Sequence, residues 1–184
     1  MQFGDGEKPM FKYPAMIGYL VKALRDKHPE EEQIGKTKIQ KILFLLTRKH
    51  IVDFDYSMHY YGPYSPEVSN ELLVAETAGI IQSKWKDDKG FFIEKGPNEK
   101  KFEEEIEKDE ISAIDEIVEV FGKYNAKKFT ILATLLFLND KKGFFSKEDL
   151  VEEVHRIKKY PVQDIREVLE DSEKAGYLVY QKLK

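Results

Sequence analysis

Cysteine is absent from the 184-residue chain. That excludes disulfides, thiolate nucleophiles and cysteine-ligated zinc. Long apolar runs are also missing, and none approaches the length of a membrane span. The N-terminal MQFGDGEKPMFKYP has no basic stretch leading into an apolar one, which predicts no signal peptide. A soluble, cytoplasmic protein with no membrane partner is the expectation. There are four histidines (His28, His50, His59 and His155), and none has a metal-binding spacing such as H-E-x-x-H. A positive balance is lacking as well: the formal net charge is -4 and the pI about 5.7. Proteins that coat nucleic acid are usually basic, although a basic patch on one face would suffice for a local contact. Carboxylates are plentiful, but no pair sits in the apolar setting that acid-base chemistry needs. The sequence therefore assigns no catalytic residue, no metal and no cofactor.

What is present suits a folded protein of one or two domains. Hydrophobic residues make up 41% and charged residues 35%. Residues 1–13 read as a flexible tail. Ile17, Leu20, Val21 and Leu24 recur at helical spacing and predict a helix over 14–27, ended by His28-Pro29. An acidic turn, Glu30 to Glu32, follows. A second helix over 36–50 buries Ile39, Ile42, Leu43 and Leu46. Lys41 lies opposite that face, with Lys38 and Lys49 on one flank. A solvated face is the plain reading of these lysines, and a phosphate-contacting stripe is the sharper one. Gly35-Lys36-Thr37 is not a phosphate loop: Glu30 stands where the first glycine belongs, and no strand leads in.

Phe54 to Tyr61 alternates and predicts a strand, broken by Gly62-Pro63. Ser65 then reads as the N-cap of a helix over 66–78, with Pro66 at its first position and Val68, Leu72 and Ala75 on its apolar face. Gly79 closes that helix in the left-handed conformation. Strands at 80–86 and 91–95 flank a polar turn and form a candidate wing carrying Lys84, Trp85, Lys86 and Lys89. Residues 96–110 are almost all charge and read as a linker or an exposed helix held by charge pairs. Ile111, Ile114, Val118 and Phe121 predict a connecting helix. After it come a buried helix from Phe129 to Asn139, a crossing segment at Lys142-Gly143-Phe144-Phe145, a helix capped by Ser146 with Asp149, a helix started by Pro161, and a strand from Val179 to Leu183. ETAGII at 76–81 and EKAGYL at 173–178 echo one another at a helix end.

These elements predict a mainly α fold with small β-hairpins (α+β). The expected divisions are a tail at 1–13, a winged-helix-like domain at 14–97, a charged connecting helix at 98–125, and a second helix-turn-helix or winged-helix-like unit at 126–184. The helix KTKIQKILFLL followed by YYGPYSPEVSNELL resembles a distant branch of the prokaryotic Panacea, or SocA-like, antitoxin-associated domains. The residues that carry the resemblance are Lys38, Gln40, Lys41, Leu43 and Leu45, then Tyr61, Gly62, Pro63 and Tyr64, and it covers roughly residues 14–95. It implies a regulatory protein, since members that act as antitoxins bind a toxin or present it to a protease.

Three function classes follow. A non-catalytic protein-binding module on a winged-helix frame leads, because the helices are acidic and the family resemblance fits it. A DNA-binding winged helix is the alternative, and the candidate contacts to a protein partner or to DNA are Lys38, Lys41, Ser65, Ser69, Asn70 and the wing residues Lys84, Trp85, Lys86 and Lys89. Against it, the helix at 66–78 carries Glu67, Glu71 and Glu76 and neither Lys nor Arg. The remote alternative is a small-molecule or enzymatic site at His59, Tyr60, Tyr61 and Tyr64, a cluster read first as structural. His155 is read as a salt-bridge partner of Glu152. A homodimer through the helix at 111–123 is a further option.

Overall fold

The apolar positions from Pro14 to Leu24 become the buried face of the first helix, α1 (Lys12–Lys27). The computed structural model describes residues 10–30, 33–87, 90–143 and 146–178. Among these the chain is mainly helical, with two small antiparallel hairpins. After α1 come α2 (Lys36–Arg48), β1 (Ser57–His59), β2 (Gly62–Tyr64), α3 (Pro66–Thr77), β3 (Ile81–Lys86) and β4 (Gly90–Lys95). A 3-10 helix (Glu99–Glu105) leads into α4 (Lys108–Phe121), α5 (Ala126–Lys142), α6 (Lys147–Lys158) and α7 (Val162–Lys174). The chain divides into two units, 1–39 with 66–123 and 40–65 with 124–184, the first division falling inside α2.

In the first unit α1 packs on α3, α4, the 3-10 helix and both strands of the β3–β4 hairpin. Ile17, Leu20 and Val21 are fully buried, as are Ile114, Val118, Phe92 and Ile93. Each such side chain contributes roughly 1.5–3 kcal/mol relative to exposure. The charged stretch at 96–110, expected as a linker or an exposed helix held by charge pairs, contains the 3-10 helix and is docked on α1 through charge pairs. Lys12 reaches Glu107 at 3.0 Å and Glu110 at 2.8 Å, and Lys22 pairs with Glu103. Glu107 and Glu110 also form a reciprocal capping box that starts α4.

In the second unit α5 is the centre, packed on β2, α6 and α7. Its run from Phe129 to Leu136 is buried throughout, as the apolar sequence predicts. The Asn125 side chain accepts from the Lys128 N–H at 2.9 Å and caps its start. Gly143, at φ 65°, closes its end. Ser146 accepts from the Asp149 N–H at 3.1 Å and starts α6 as expected. The Arg48 guanidinium forks onto Asp140 at 2.6 and 2.9 Å, tying the end of α2 to α5.

Several expectations change. The strand at 54–61 shrinks to β1, and Gly62-Pro63 lies within β2 rather than breaking it. A two-stranded hairpin leaves edge positions where proline's missing N–H does no harm. The ETAGII and EKAGYL echo is a shared helix ending. Ile80 N–H bonds Ala75 C=O and Gly79 N–H bonds Glu76 C=O; Tyr177 bonds Ser172 and Gly176 bonds Glu173 in the same way. This is the Schellman arrangement with glycine left-handed at each end. Most of the tail at 1–13, Glu31 and Glu32, Lys89, Phe144, Phe145 and the expected strand at 179–183 lie outside the described residues.

Candidate partner-binding surface

The motif Lys38, Gln40, Lys41 is inside the protein. Lys38 is 1% exposed and Lys41 2%, and every residue from Lys38 to Leu46 is buried. The expectation of a solvated or phosphate-contacting lysine face is thereby corrected. The reason is that carbonyls from distant segments come to meet the ammonium groups. In the first unit Lys38 Nζ donates to the Gly122 carbonyl at 2.5 Å, at the C-terminus of α4, where unpaired carbonyls favour a cation. In the second unit Lys41 Nζ donates to the Pro63 carbonyl at 2.6 Å. Burial, reinforced by the nearby Lys158 charge, pushes the Lys41 ammonium down to about 8.

Gln40 grips the residue after the hairpin from both sides. Its amide donates to the Ser65 carbonyl at 2.8 Å, and its carbonyl accepts from the Ser65 N–H at 3.2 Å. Lys158, at the end of α6, donates to the carbonyls of His59 and, at 2.7 Å, Tyr60. Burial lowers its ammonium as well. Gly62 completes the anchorage. Its φ is +83°, and a Cβ there would lie 2.9 Å from Thr134 Oγ1 on α5. Of the family-motif residues, Gln40, Lys41 and Gly62 hold the β1–β2 hairpin, with Pro63 buried beside them, whereas Lys38 is held at the end of α4 and Tyr61 is exposed.

Ser65 is fully buried and its hydroxyl has no partner, so it neither caps α3 through its side chain nor reaches outward. Ser69 is half-buried, and Asn70 and Leu73 are exposed on α3. Glu76 is turned inward to accept from the Ser83 N–H at 3.1 Å. Burial raises the Glu71 carboxyl, with Glu67 adding to it.

The outer face of the β3–β4 hairpin carries aromatic surface. Trp85 stands opposite Phe91 in the register, 61% and 58% exposed, with ring centroids 5.0 Å apart and edge to face. Lys84 is neutralised by Glu94 at 2.6 Å, and Lys86 Nζ lies 4.4 Å from the Phe92 ring centre. Phe91 was not singled out from the sequence, yet pairing Trp85 across an expected hairpin would have found it. The β1–β2 tip is aromatic too: Tyr60 is 83% exposed and Tyr61 62%. His59 is exposed and packs on Tyr64 with centroids 4.9 Å apart. The cluster is thus an outward surface. Lys158, which holds this tip, had no sequence signal.

His155 Nδ1 lies 2.6 Å from the Tyr160 carbonyl, which replaces the expected Glu152 pairing, and His28 Nε2 lies 3.0 Å from the Val118 carbonyl. An open cleft of about 270 Å³ between α1 and α4 is lined by Tyr19, Lys22, Glu103, Glu104, Ile106 and Ile111. Three of its polar side chains are engaged: Tyr19 donates to Asp115 at 3.1 Å and Lys22 pairs with Glu103. Among the described residues no three His, Cys, Asp or Glu side chains gather in a metal-holding group. No described helix is long and apolar enough to cross a membrane.

No curated protein matches the chain. The family profile described as "Antitoxin SocA-like, Panacea domain" matches residues 39–134. The match begins within the buried helix motif, takes in both hairpins, and ends in α5, against which Gly62 is packed. Covering more than half of the chain, it establishes that the chain belongs to the SocA-like antitoxin family of Panacea domains.

Proposed function

We propose that the chain is a non-catalytic regulatory protein that binds a protein partner, in the manner of an antitoxin or adaptor. The observation that carries this reading is the exposed Trp85–Phe91 pair on the β3–β4 hairpin. Large aromatic side chains held by a hairpin are the residue type that anchors protein interfaces. The family description, antitoxin-like, supports a toxin as the partner class.

The frame is read as a winged helix, with β3–β4 as the wing. One hydrogen bond supports that: the Ile93 N–H in β4 donates to the Ile34 carbonyl at 2.8 Å. Ile34 lies between α1 and α2, where a winged helix places its first strand. Duplex DNA is disfavoured as the ligand. α3 offers carboxylates and no Lys or Arg, Lys38 and Lys41 are buried, and Lys84 is neutralised.

Affinity capture from the native host tests the proposal, with wild-type chain beside a Trp85→Ser/Phe91→Ser variant. A protein retained by the wild type and lost with the variant is expected. Binding of random-sequence duplex DNA that weakens steeply with salt, with no such protein, would overturn it.

A further inference from the structure

The β1–β2 hairpin presents a second surface made of different residues. Tyr60 and Tyr61 stand at its tip, edge to face with centroids 4.8 Å apart. The hairpin backbone around them is held at four residues: Lys158 on the His59 and Tyr60 carbonyls, Lys41 on that of Pro63, and Gln40 on Ser65. Rings carried on so constrained a backbone lose little freedom when a ligand covers them. Tyr160 lies in the α6–α7 turn that follows Lys158, and Val162 beside it is exposed.

Among the described residues, the charges beneath this tip have no carboxylate partner. Within the same described residues Lys41 and Lys158 donate to backbone carbonyls alone, and the neighbouring Lys159 is exposed. Among the described residues none of the three has a carboxylate within 4.0 Å. By contrast Lys127, Lys128, Lys142 and Lys147 of the same unit each have one, at Asp164, Glu167, Glu153 and Glu173. In a chain of net charge -4, this is a place where positive charge has no carboxylate partner among the described residues. Asp53 and Asp55 precede the open end of the hairpin, away from its tip.

We infer that the Tyr60–Tyr61 tip, with Lys158 and Lys159 at its base, docks an acidic segment of a partner protein. Apolar side chains of that segment lie on the tyrosine rings, and its carboxylates offset the cations. A single nucleic-acid strand is the competing ligand. It would want parallel ring faces for successive bases and a basic groove along its backbone. The two rings instead stand at 85° to one another, and Lys41 is buried.

The test is selection of random 12-residue peptides displayed on phage against the full chain, followed by fluorescence polarisation with the enriched peptides. Acidic sequences with an apolar anchor are expected. Their affinity should fall about tenfold or more in a Tyr60→Ser/Tyr61→Ser variant, as for hot-spot residues. Lys159→Glu should weaken them about threefold or more with the far-UV spectrum unchanged, and added salt should weaken them further. Trp85→Ser/Phe91→Ser should leave them unaffected, which separates this surface from the one assigned above. No enrichment, enrichment of neutral or basic sequences, or equal binding to the tyrosine variant would overturn the inference. So would binding of a (dT)12 oligonucleotide that the tyrosine variant loses.

Discussion

Lys41→Met keeps most of the length of a buried side chain and removes its charge, so it tests directly how the hairpin is held. In the folded protein the Lys41 ammonium titrates at about 8 instead of 10.5, because burial and then Lys158 disfavour its charge. In the unfolded chain it titrates near the ordinary value. Below pH 8 both states hold the proton, and the folded state carries the whole penalty, about 3 kcal/mol at ~1.4 kcal/mol per pH unit. Between about pH 8 and 10.5 the unfolded chain holds more protons, so wild-type stability rises with pH across that window.

The methionine variant escapes the penalty but leaves the Pro63 carbonyl without its donor, which costs about 1–3 kcal/mol. At pH 7 the two effects oppose, and the variant should lie within about 2 kcal/mol of wild type. At pH 10 the wild type has recovered all but about 1 kcal/mol of its penalty, and the variant should be the less stable by up to about 2 kcal/mol. Urea unfolding followed by far-UV circular dichroism at both pH values reads this. The difference between the two proteins cancels the tyrosines and other lysines that titrate in the same range. An identical difference at pH 7 and pH 10 would refute the burial of a charged Lys41.

Gln40→Leu should destabilise by about 2–4 kcal/mol in the same assay, since it strips both Ser65 backbone groups of their partner in a buried site. Gly62→Ala should cost about 1–3 kcal/mol, because φ +83° strains an L-residue and the added Cβ meets Thr134. Trp85→Ser/Phe91→Ser should leave the urea midpoint nearly unchanged, within about 1 kcal/mol, because both side chains are exposed. The Glu153 carboxyl is held at about 2 by Arg156 and then Lys142. Its NMR titration midpoint should move upward in Arg156→Gln and stay in place in Lys128→Gln.

The helices were legible because their signals are local. The apolar spacing of α1, the buried run of α5 and the Ser146 cap each lie within one stretch of chain. Gly79 and Gly176 were legible for the same reason, as was the β3–β4 hairpin. The burial of Lys38 and Lys41 was not. A lysine between apolar positions reads as solvent-facing unless a carbonyl arrives from elsewhere, and Gly122 and Pro63 are 84 and 22 residues away. Gly62-Pro63 read as a breaker because the contact requiring glycine is with Thr134, far along the chain. Lys158 carried no signal at all, since its partners are backbone carbonyls that have no sequence identity. The family motif is thus a set of long-range anchors, and its local pattern misleads about exposure.

The measurement that tests the central claim most directly is photo-crosslinking in the native host, with a photoreactive phenylalanine analogue in place of Phe91. The account predicts a discrete protein adduct that disappears when Trp85 is also changed to serine. Adducts to nucleic acid alone, or a protein adduct indifferent to Trp85, would contradict it.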